Sequence, residues 1–259
     1  MKKRVKSLLT INQIKKVRAY INSVKSFFVF GNLNKLALIW NTDKWGAHWY
    51  TQHYHTHFKK IRHKKLNILE IGVGGYDDPT QGGNSLRTWK KYFPKSNIYA
   101  IDIYDKKQLE EKRIKIFMGS QVDNLFLDEV CKKIGKIDII VDDGSHLNEH
   151  VIESFKKLFP KLNENGIYVV EDLETAYWPD YGGESVNLKN EKTSINFFKA
   201  LVDSLNHSEL ILPGFQASYS DLHIKGIHFY HNMVFIQKGR NDERSVNIIN
   251  NNHHRLEIQ

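Results

Sequence analysis

Short apolar runs alternate with stretches of helical spacing through the middle of the chain. Residues 137–141 form one β-branched apolar run, and residues 167–170 form another. Between them Val151, Phe155 and Leu158 recur at spacings of three and four, which predicts a helix that ends near Pro160. A strand, a helix and a strand with short connections predict a βαβ unit whose strands are parallel neighbours.

The same pattern predicts the rest of the fold. A helix is expected over 195–205, and the remaining strands are expected at 66–71, 97–101, 114–118, 224–230 and 233–237. The last two flank a two-residue turn and predict an antiparallel hairpin. The chain has 259 residues and is 41% apolar, which is enough for one large α/β domain. We therefore expect a Rossmann-like, doubly wound, seven-stranded sheet with a C-terminal antiparallel hairpin.

Positive charge is concentrated at the N-terminus. Residues 1–41 hold nine Lys and Arg and no acid, whereas residues 42–259 hold 29 of each sign. An apolar stripe from Leu8 to Phe28 predicts an amphipathic helix in this region. We therefore divide the chain into a basic helical arm (1–41), a main domain (42–240) and a polar tail expected to fray (241–259).

The arm has two interpretations. We expect its helix to pack on its own domain or on another subunit, which would give a homo-oligomer. The alternative is a basic amphipathic helix that lies on an anionic membrane surface through residues 1–30. Cys131 is the single cysteine, and no apolar run is long enough to span a bilayer. These features favour a cytoplasmic protein, which the second interpretation would place at the inner membrane surface.

Aromatic residues and histidines are concentrated in residues 42–60. We expect this segment to fold over the active face of the domain as a lid. The alternating His53, His55 and His57 leave a metal-binding strand as an alternative.

Two of the predicted strands end in paired acids. Asp142 and Asp143 follow the run at 137–141, and Glu171 and Asp172 follow the run at 167–170. Adjacent parallel strands lie about 4.8 Å apart, so these carboxylates converge. Converging carboxylates either share a proton or bind a hard cation, and the nearby His146 favours the cation. The remaining alternative is that some of them cap helices or pair with lysines.

A glycine-rich turn follows the first predicted strand. Gly72 and Gly74 would let a ligand approach the backbone, although Asp77 stands where a dinucleotide fingerprint has its last glycine. Asp102 ends the second strand, where an acid can accept hydrogen bonds from a ribose diol. Gln121 follows the third strand and could face an adenine edge.

Several segments resemble one family. They are, in order, LEIGVGG, AIDIYD, GSQVD, IIVDDGSH, VVEDLET and IHFYHNMVFIQKG. Together they resemble class I S-adenosylmethionine-dependent methyltransferases and, among these, the metal-dependent macrolide-type sugar O-methyltransferases. The resemblance runs from Thr42 to Gly239. It departs from the family at Tyr54-His55, where relatives usually have a Tyr-Glu pair.

The resemblance implies an O-methyltransferase that uses S-adenosylmethionine and Mg²⁺ on the sugar hydroxyl of a glycan, glycoside or nucleotide sugar. It implies metal ligands, catalytic groups and cofactor contacts. The ligands are Asp143, Glu171 and Asp172, and the catalytic groups are Asp143 and the base His146. The cofactor contacts are Glu70, Gly72, Gly74, Ser85, Asp102, Gln121 and Asp142. We assign His48, Tyr50 and Trp178 to the substrate.

Two rival functions stay open at this point. An NAD(P)-dependent oxidoreductase shares the glycine turn and the acid after the second strand but has no use for the four later acids. A nucleic-acid-binding methyltransferase would use the basic arm. The balanced charge of residues 42–259 argues against a specific nucleic-acid partner.

Overall fold

The computed structural model describes residues 10–243, 245, 248–249 and 252–253. Its main sheet has seven strands in the order β3-β2-β1-β4-β5-β7-β6. The strands are β1 (Asn67–Ile71), β2 (Asn97–Asp102), β3 (Ile114–Met118), β4 (Ile137–Asp142), β5 (Leu162–Val170), β6 (Ile224–Tyr230) and β7 (Met233–Lys238). This order, with its antiparallel C-terminal pair, confirms the predicted doubly wound, seven-stranded sheet with a C-terminal hairpin.

The centre of the sheet is parallel and buried on both faces. Strand β4 pairs in parallel with β1 on one side and with β5 on the other. Both faces are covered, so these strands are mostly apolar on both sides rather than alternating. Strand β7 runs antiparallel to both β5 and β6, so the predicted hairpin closes this side of the sheet.

The helices also follow the sequence pattern. They are α1 (Ile11–Phe28), α2 (Leu33–Trp40), α3 (Thr51–Phe58), α4 (Asn84–Tyr92), α5 (Asn124–Ile134), α6 (Asn148–Leu158), α7 (Ser194–Leu205) and α8 (Tyr219–His223). Helix α3 contains His53, His55 and His57, so the alternative of a metal-binding strand is wrong. The reason is that Tyr54 and Phe58, four residues apart, form one buried helical face.

The chain divides into two compact units. The first comprises the residues up to Leu66 together with Val73–Ala100 and Tyr104–Phe117, so the described part of the arm clusters with residues 42–66. Its core contains Tyr54, Phe58, Trp89 and Phe93 in mutual aromatic contact. Packing therefore accounts for part of the aromatic density at 42–60, and the lid role of that segment stays a prediction.

The second unit comprises Asn67–Gly72, Ile101–Ile103 and the residues from Met118 onward. It contains β1, β4 and β5 together with the acids that follow them. The tail holds a short antiparallel pair, Ile248–Ile249 with Asn252–His253, and its other residues after 245 lie outside the described residues.

The two units carry opposite charge. The first has 24 Lys and Arg against 6 Asp and Glu, which leaves 14 and 23 for the second. The excess of positive charge therefore extends well beyond residue 41.

Helix α1 does not bury most of its described apolar stripe on its own domain, which was one of the two expected partners, and packing on another subunit stays a prediction. Within the described stripe Val17, Ile21, Val24 and Phe28 are exposed, and Leu8 lies outside the described residues. None of the described helices is long and apolar enough to cross a membrane.

Candidate active site

The register of the central strands brings the predicted acids to one edge of the sheet. Asp142 is the last residue of β4 and lies opposite Val170, the last residue of β5. Just beyond the strands, the Asp143 amide donates to the Ile71 carbonyl at 3.0 Å, and the Glu171 amide donates to the Asp142 carbonyl at 3.0 Å. The backbone at both acid pairs is thus fixed by hydrogen bonds that continue the strands.

Three of the predicted residues form a cluster. The His146 Nε2 atom lies 4.0 Å from a carboxylate oxygen of Asp143 and 3.6 Å from one of Asp172. All three ligand atoms lie within 4.8 Å of one another, and each side chain keeps between 20% and 24% of its surface exposed. The cluster is therefore open to a ligand from solvent.

Two members of the cluster have unusual backbone conformations. His146 has φ 57° and Asp172 has φ 54°, both in the left-handed region. Non-glycine residues adopt this region at a cost, and such residues concentrate at functional sites. In the Asp143–His146 turn and at the start of the Leu173–Tyr177 turn, this conformation accompanies side chains that converge on one point.

The donor set of the cluster fits a hard divalent cation. Carboxylate oxygens are the ligands that Mg²⁺ prefers, and it commonly takes only one or two of them from a protein. Asp143 and Asp172 supply such oxygens from neighbouring strands. Glu171, the third predicted ligand, is buried beside Asp172 but lies outside the three-residue cluster, and its role as a ligand stays a prediction.

Gly72 is required by the protein itself. It has φ 93°, and a Cβ atom there would overlap the Asp143 carbonyl oxygen and lie 3.0 Å from the carbonyl carbon. The sequence suggested that this glycine lets a ligand approach the backbone. The structure shows its close contact with the loop that carries a cluster carboxylate, and its contact with a cofactor stays a prediction.

Gln121 holds the turn between Asp143 and His146. Its Oε1 accepts a hydrogen bond from the Ser145 amide at 2.8 Å, and its Nε2 donates to Ser154 Oγ at 2.9 Å and to Asp142 Oδ1 at 3.3 Å. Ser154 returns a hydrogen bond to the Gln121 carbonyl at 3.2 Å. The side-chain amide is thus engaged within the protein, and its predicted contact with adenine stays a prediction.

Asp142 is buried beneath this turn. Its carboxylate accepts from Gln121 and, at 3.3 Å, from the Tyr168 hydroxyl. Burial and, after it, the neighbouring charge of Asp143 raise the pKa of Asp142 to about 7, although the hydrogen bonds from Tyr168 and Gln121 oppose this rise. Burial likewise raises the pKa of Tyr168, so its hydroxyl stays protonated and can donate.

Sequence reasoning missed Ser154 and Tyr168. The sequence did contain a signal for both residues, because each places a polar group at a position where the helix or strand pattern predicts an apolar side chain. Ser154 lies three residues after Val151 on the buried face of α6, and Tyr168 lies inside the apolar run of β5. A buried polar group needs a partner, and here the partners are Gln121 and Asp142.

The remaining predicted cofactor residues lie at turns and strand ends. In the second unit Glu70 is buried on β1, and Asp102 ends β2 with its backbone carbonyl accepting from the Gly119 amide. In the first unit Gly74 has φ 77° with open space around its missing Cβ, and Ser85 lies in the first turn of α4. Their cofactor contacts stay predictions.

The residues assigned to the substrate differ in exposure. Trp178 is 49% exposed in the second unit, where it packs against Tyr181. In the first unit the His48 ring stacks on Tyr50 with 4.8 Å between centroids, and Tyr50 is buried. All three assignments stay predictions.

Comparison with known proteins finds relatives that are named as O-methyltransferases. The chain is 48% identical over 217 residues to a demethylmacrocin O-methyltransferase of Streptomyces fradiae, which covers 83% of this chain and 55% of that protein. It is 45% identical to a mycinamicin VI 2''-O-methyltransferase of Micromonospora griseorubida, with 83% and 54% covered. No family model matches the chain.

Solved structures agree with these relatives. The methyltransferase MycE of mycinamycin biosynthesis, in complex with Mg and SAH, superposes with a TM-score of 0.80 at 46% identity. The match covers 82% of this chain and 54% of that one. A further MycE structure, also containing mycinamycin VI, gives a TM-score of 0.79.

The chain spans about half the length of the curated relatives it matches. Over that half, the sequence identity and the structural superposition agree. The chain has the class I methyltransferase fold and is a relative of the macrolide-type sugar O-methyltransferases.

Proposed function

We propose that this chain transfers a methyl group from S-adenosylmethionine to a sugar hydroxyl in a Mg²⁺-dependent reaction. The observation that carries the proposal is the cluster of Asp143, His146 and Asp172 at the ends of two parallel strands. A carboxylate pair with an imidazole at its side can hold a cation and accept a proton in the same small volume. The relatives named for sugar O-methylation, and the Mg and SAH in the MycE structures, support it.

In this proposal Asp143 and Asp172 hold the metal, with Glu171 as a further ligand. Bound Mg²⁺ supplies positive charge that favours ionisation of a sugar hydroxyl, which is otherwise too weak an acid near neutral pH. His146 accepts the hydroxyl proton as general base, a common task for an imidazole. Gln121 fixes the Gly144–Ser145 turn, which determines how far His146 stands from the two carboxylates.

The methyl donor would be held by the turn after β1 and by the ends of β2 and β3. Asp102 would bind the ribose, and the residues from Glu70 to Gly75 would surround the methionine end. Methyl transfer requires mainly that the donor and the attacking oxygen are aligned. The chain's own contribution is therefore positioning, removal of one proton and exclusion of water.

The proposed acceptor is a glycosylated small molecule with two neighbouring hydroxyl groups. One relative is named for 2''-O-methylation of mycinamicin VI, and two others for 2'- and 3'-O-methylation of rhamnosyl tetracenomycin-C. The exposed indole of Trp178 suits stacking on the apolar face of a sugar ring, and we assign His48 and Tyr50 to the same task. The identity of the sugar is left to a screen of glycosides and nucleotide sugars.

The metal assignment is tested by chelation and by isosteric variants. Excess EDTA should abolish methyl transfer while calorimetry still detects binding of S-adenosylhomocysteine, and added Mg²⁺ should restore turnover. Asp143→Asn and Asp172→Asn should behave like chelation because they remove a ligand charge without changing shape. The matched control is Asp180→Asn, an exposed acid outside the cluster. Full turnover in EDTA would show that these acids are structural.

The base assignment needs a variant that tolerates the left-handed backbone at position 146. His146→Asn meets this condition, because asparagine adopts that region more readily than most residues. We expect turnover to fall by roughly 10²–10⁴, the usual contribution of a general base, with the Mg²⁺ requirement retained. Turnover equal to that of the unmodified protein would remove His146 from the mechanism.

The rival functions give different results in the same assays. An NAD(P)-dependent oxidoreductase would bind NADH rather than S-adenosylhomocysteine and would keep its activity in EDTA. A nucleic-acid methyltransferase would bind RNA or DNA with an affinity that falls steeply with salt. Either result would replace the proposal.

A further inference from the structure

Helix α1 turns its apolar side away from the protein. Its exposed apolar residues recur at helical spacing and are Val17, Tyr20, Ile21, Val24, Phe27 and Phe28. Tyr20 is 73% exposed, Phe27 80% and Phe28 79%. At about 100° per residue these six positions cover an arc of about 120°, which is the width of a helical face that normally lies against a core.

The opposite side of the helix is held by polar contacts within the first unit. Ser26 is buried and accepts a hydrogen bond from the Trp40 indole at 3.0 Å. Lys15 donates to the carbonyl and hydroxyl oxygens of Thr80 at 3.0 and 2.9 Å, and Lys91 donates to Ser23. These contacts fix the rotation of the helix, so the apolar face is presented outward by the structure itself.

Positive residues border the apolar face on both sides. Lys16 lies at one edge of the arc, and Arg18 and Lys25 lie at the other, all exposed. The sequence contains no acid before Asp43, so these cations have no acidic neighbours on the helix. Basic residues at both borders of an apolar face are typical of helices that lie in the headgroup region of an anionic bilayer.

A second basic segment adjoins the end of the helix. Residues 59–65 contain six basic side chains in seven positions. The Arg62 guanidinium lies over the Phe30 ring at 4.9 Å, and the His63 ring lies 5.7 Å from it. Phe30 is itself half exposed two residues beyond α1. The basic segment and the apolar face therefore meet at Phe30 within the first unit.

We propose that α1 and residues 59–65 form a docking surface for an anionic lipid bilayer. The apolar face enters the boundary between headgroups and acyl chains, and the bordering cations contact lipid phosphates. The inference goes beyond the proposed methyl transfer and does not depend on it.

Charge argues against the two other candidate occupants. A second copy packed on the same face would bring Lys16, Arg18 and Lys25 close to their own equivalents without an acid from the helix to offset them. A nucleic acid would satisfy the cations but would leave six apolar side chains against phosphate and water. An anionic bilayer satisfies both the charge and the apolar face.

The test is flotation of the full chain with vesicles of two compositions. We expect binding to 3:1 phosphatidylcholine:phosphatidylglycerol vesicles and little binding to pure phosphatidylcholine, with binding reduced as salt is raised. Equal binding to both compositions, or binding to neither, would overturn the proposal.

Paired variants locate the surface. Phe27→Ser combined with Phe28→Ser should lower the partition coefficient by at least about tenfold, because two exposed phenyl groups no longer enter the bilayer. The matched control is Leu125→Ser on α5, a residue that is also 79% exposed and should bind as before. Lys16→Gln and Lys25→Gln should each weaken binding about fivefold, and Lys199→Gln on α7 should not.

Two further measurements exclude misfolding and the other occupants. Circular dichroism and thermal unfolding of each variant should match those of the unmodified chain, because every substituted side chain is exposed. Light scattering coupled to gel filtration reports the oligomeric state. If the double Phe variant dissociates an oligomer, or loses binding to a 30-nucleotide RNA but not to anionic vesicles, the surface serves a second copy or a nucleic acid and the proposal is wrong.

Discussion

Gly72→Ala should both destabilise the second unit and displace the Asp143 carboxylate of the cluster. The glycine has φ 93°, where an L-residue is strained, and the added methyl group would overlap the Asp143 carbonyl oxygen. That oxygen cannot move independently, because the Asp143 amide is bonded to Ile71 and the Gly72 amide to Ile101. Relief of the overlap must therefore shift the backbone at Asp143.

The structure supplies the magnitude and a matched control. A left-handed backbone costs a non-glycine residue about 1–2 kcal/mol, and a forced overlap in a packed region adds about 1–3 kcal/mol. Gly214 also has positive φ, 74°, but has open space around its missing Cβ. Gly214→Ala should therefore show the strain alone, about 1–2 kcal/mol, and Gly72→Ala should cost about 2–5 kcal/mol.

The assay is equilibrium unfolding in urea, and both variants are fitted with the same dependence of unfolding free energy on urea concentration. In the active protein the Mg²⁺ concentration that gives half-maximal turnover should rise for Gly72→Ala and stay unchanged for Gly214→Ala. Equal losses of unfolding free energy in the two variants would refute the reasoning. They would show that the overlap between the added methyl group and the Asp143 carbonyl oxygen is relieved without any loss of stability. An unchanged Mg²⁺ requirement in Gly72→Ala would show that the cluster does not depend on this packing.

Two other substitutions test the buried network and the first unit. Ser154→Ala and Ser26→Ala each remove a buried helical serine that makes two hydrogen bonds, so each should cost about 1–3 kcal/mol of unfolding free energy. Only Ser154→Ala should also lower the turnover number. Equal turnover numbers in the two variants would contradict the positioning role of Gln121. Burial and, after it, the charges of Lys59 and Arg62 lower the pKa of His55 in the folded protein. The unfolded chain therefore binds a proton at this imidazole more readily than the folded chain does. As a result, the unfolding free energy decreases as the pH falls below the ordinary imidazole pKa of about 6.5. The unfolding free energy of His55→Asn should therefore change less between pH 7.5 and pH 5 than that of the unmodified chain, and parallel curves would contradict this.

The sheet and its acids were predictable because local signals agreed with the fold. Apart from Asp138 and the hydroxyl of Tyr168, the runs at 137–141 and 167–170 are apolar, which is how parallel strands covered on both faces look in a sequence. Once two such strands are neighbours, residues just after their ends must converge, so Asp143 and Asp172 could be paired without a structure. His146 followed from its position three residues after Asp143.

Other features depend on contacts between distant segments and were not predictable. The stripe of α1 indicated a buried face, but polar contacts of Lys15 and Ser26 turn that face outward. Gln121 has partners within the protein that lie 24 and 33 residues further along the chain, so no local pattern indicated them. The alternating histidines suggested a strand, but this segment forms helix α3, because a helix places Tyr54 and Phe58 on one side in the core of the first unit.

The position of β7 has a consequence for how the sheet is completed. Strand β6 comes first along the chain but lies outside β7, so it has no partner in the sheet until β7 has inserted between it and β5. Until then the last five residues of β5, all buried in the native sheet, present an apolar strand with an open edge. Because β5 and β7 are separated by more than 60 residues, this closure is slow to form and exposes the chain to edge-to-edge aggregation meanwhile. A nascent or proteolysed chain that lacks residues 233–238 should therefore be a substrate for chaperones rather than a smaller stable protein.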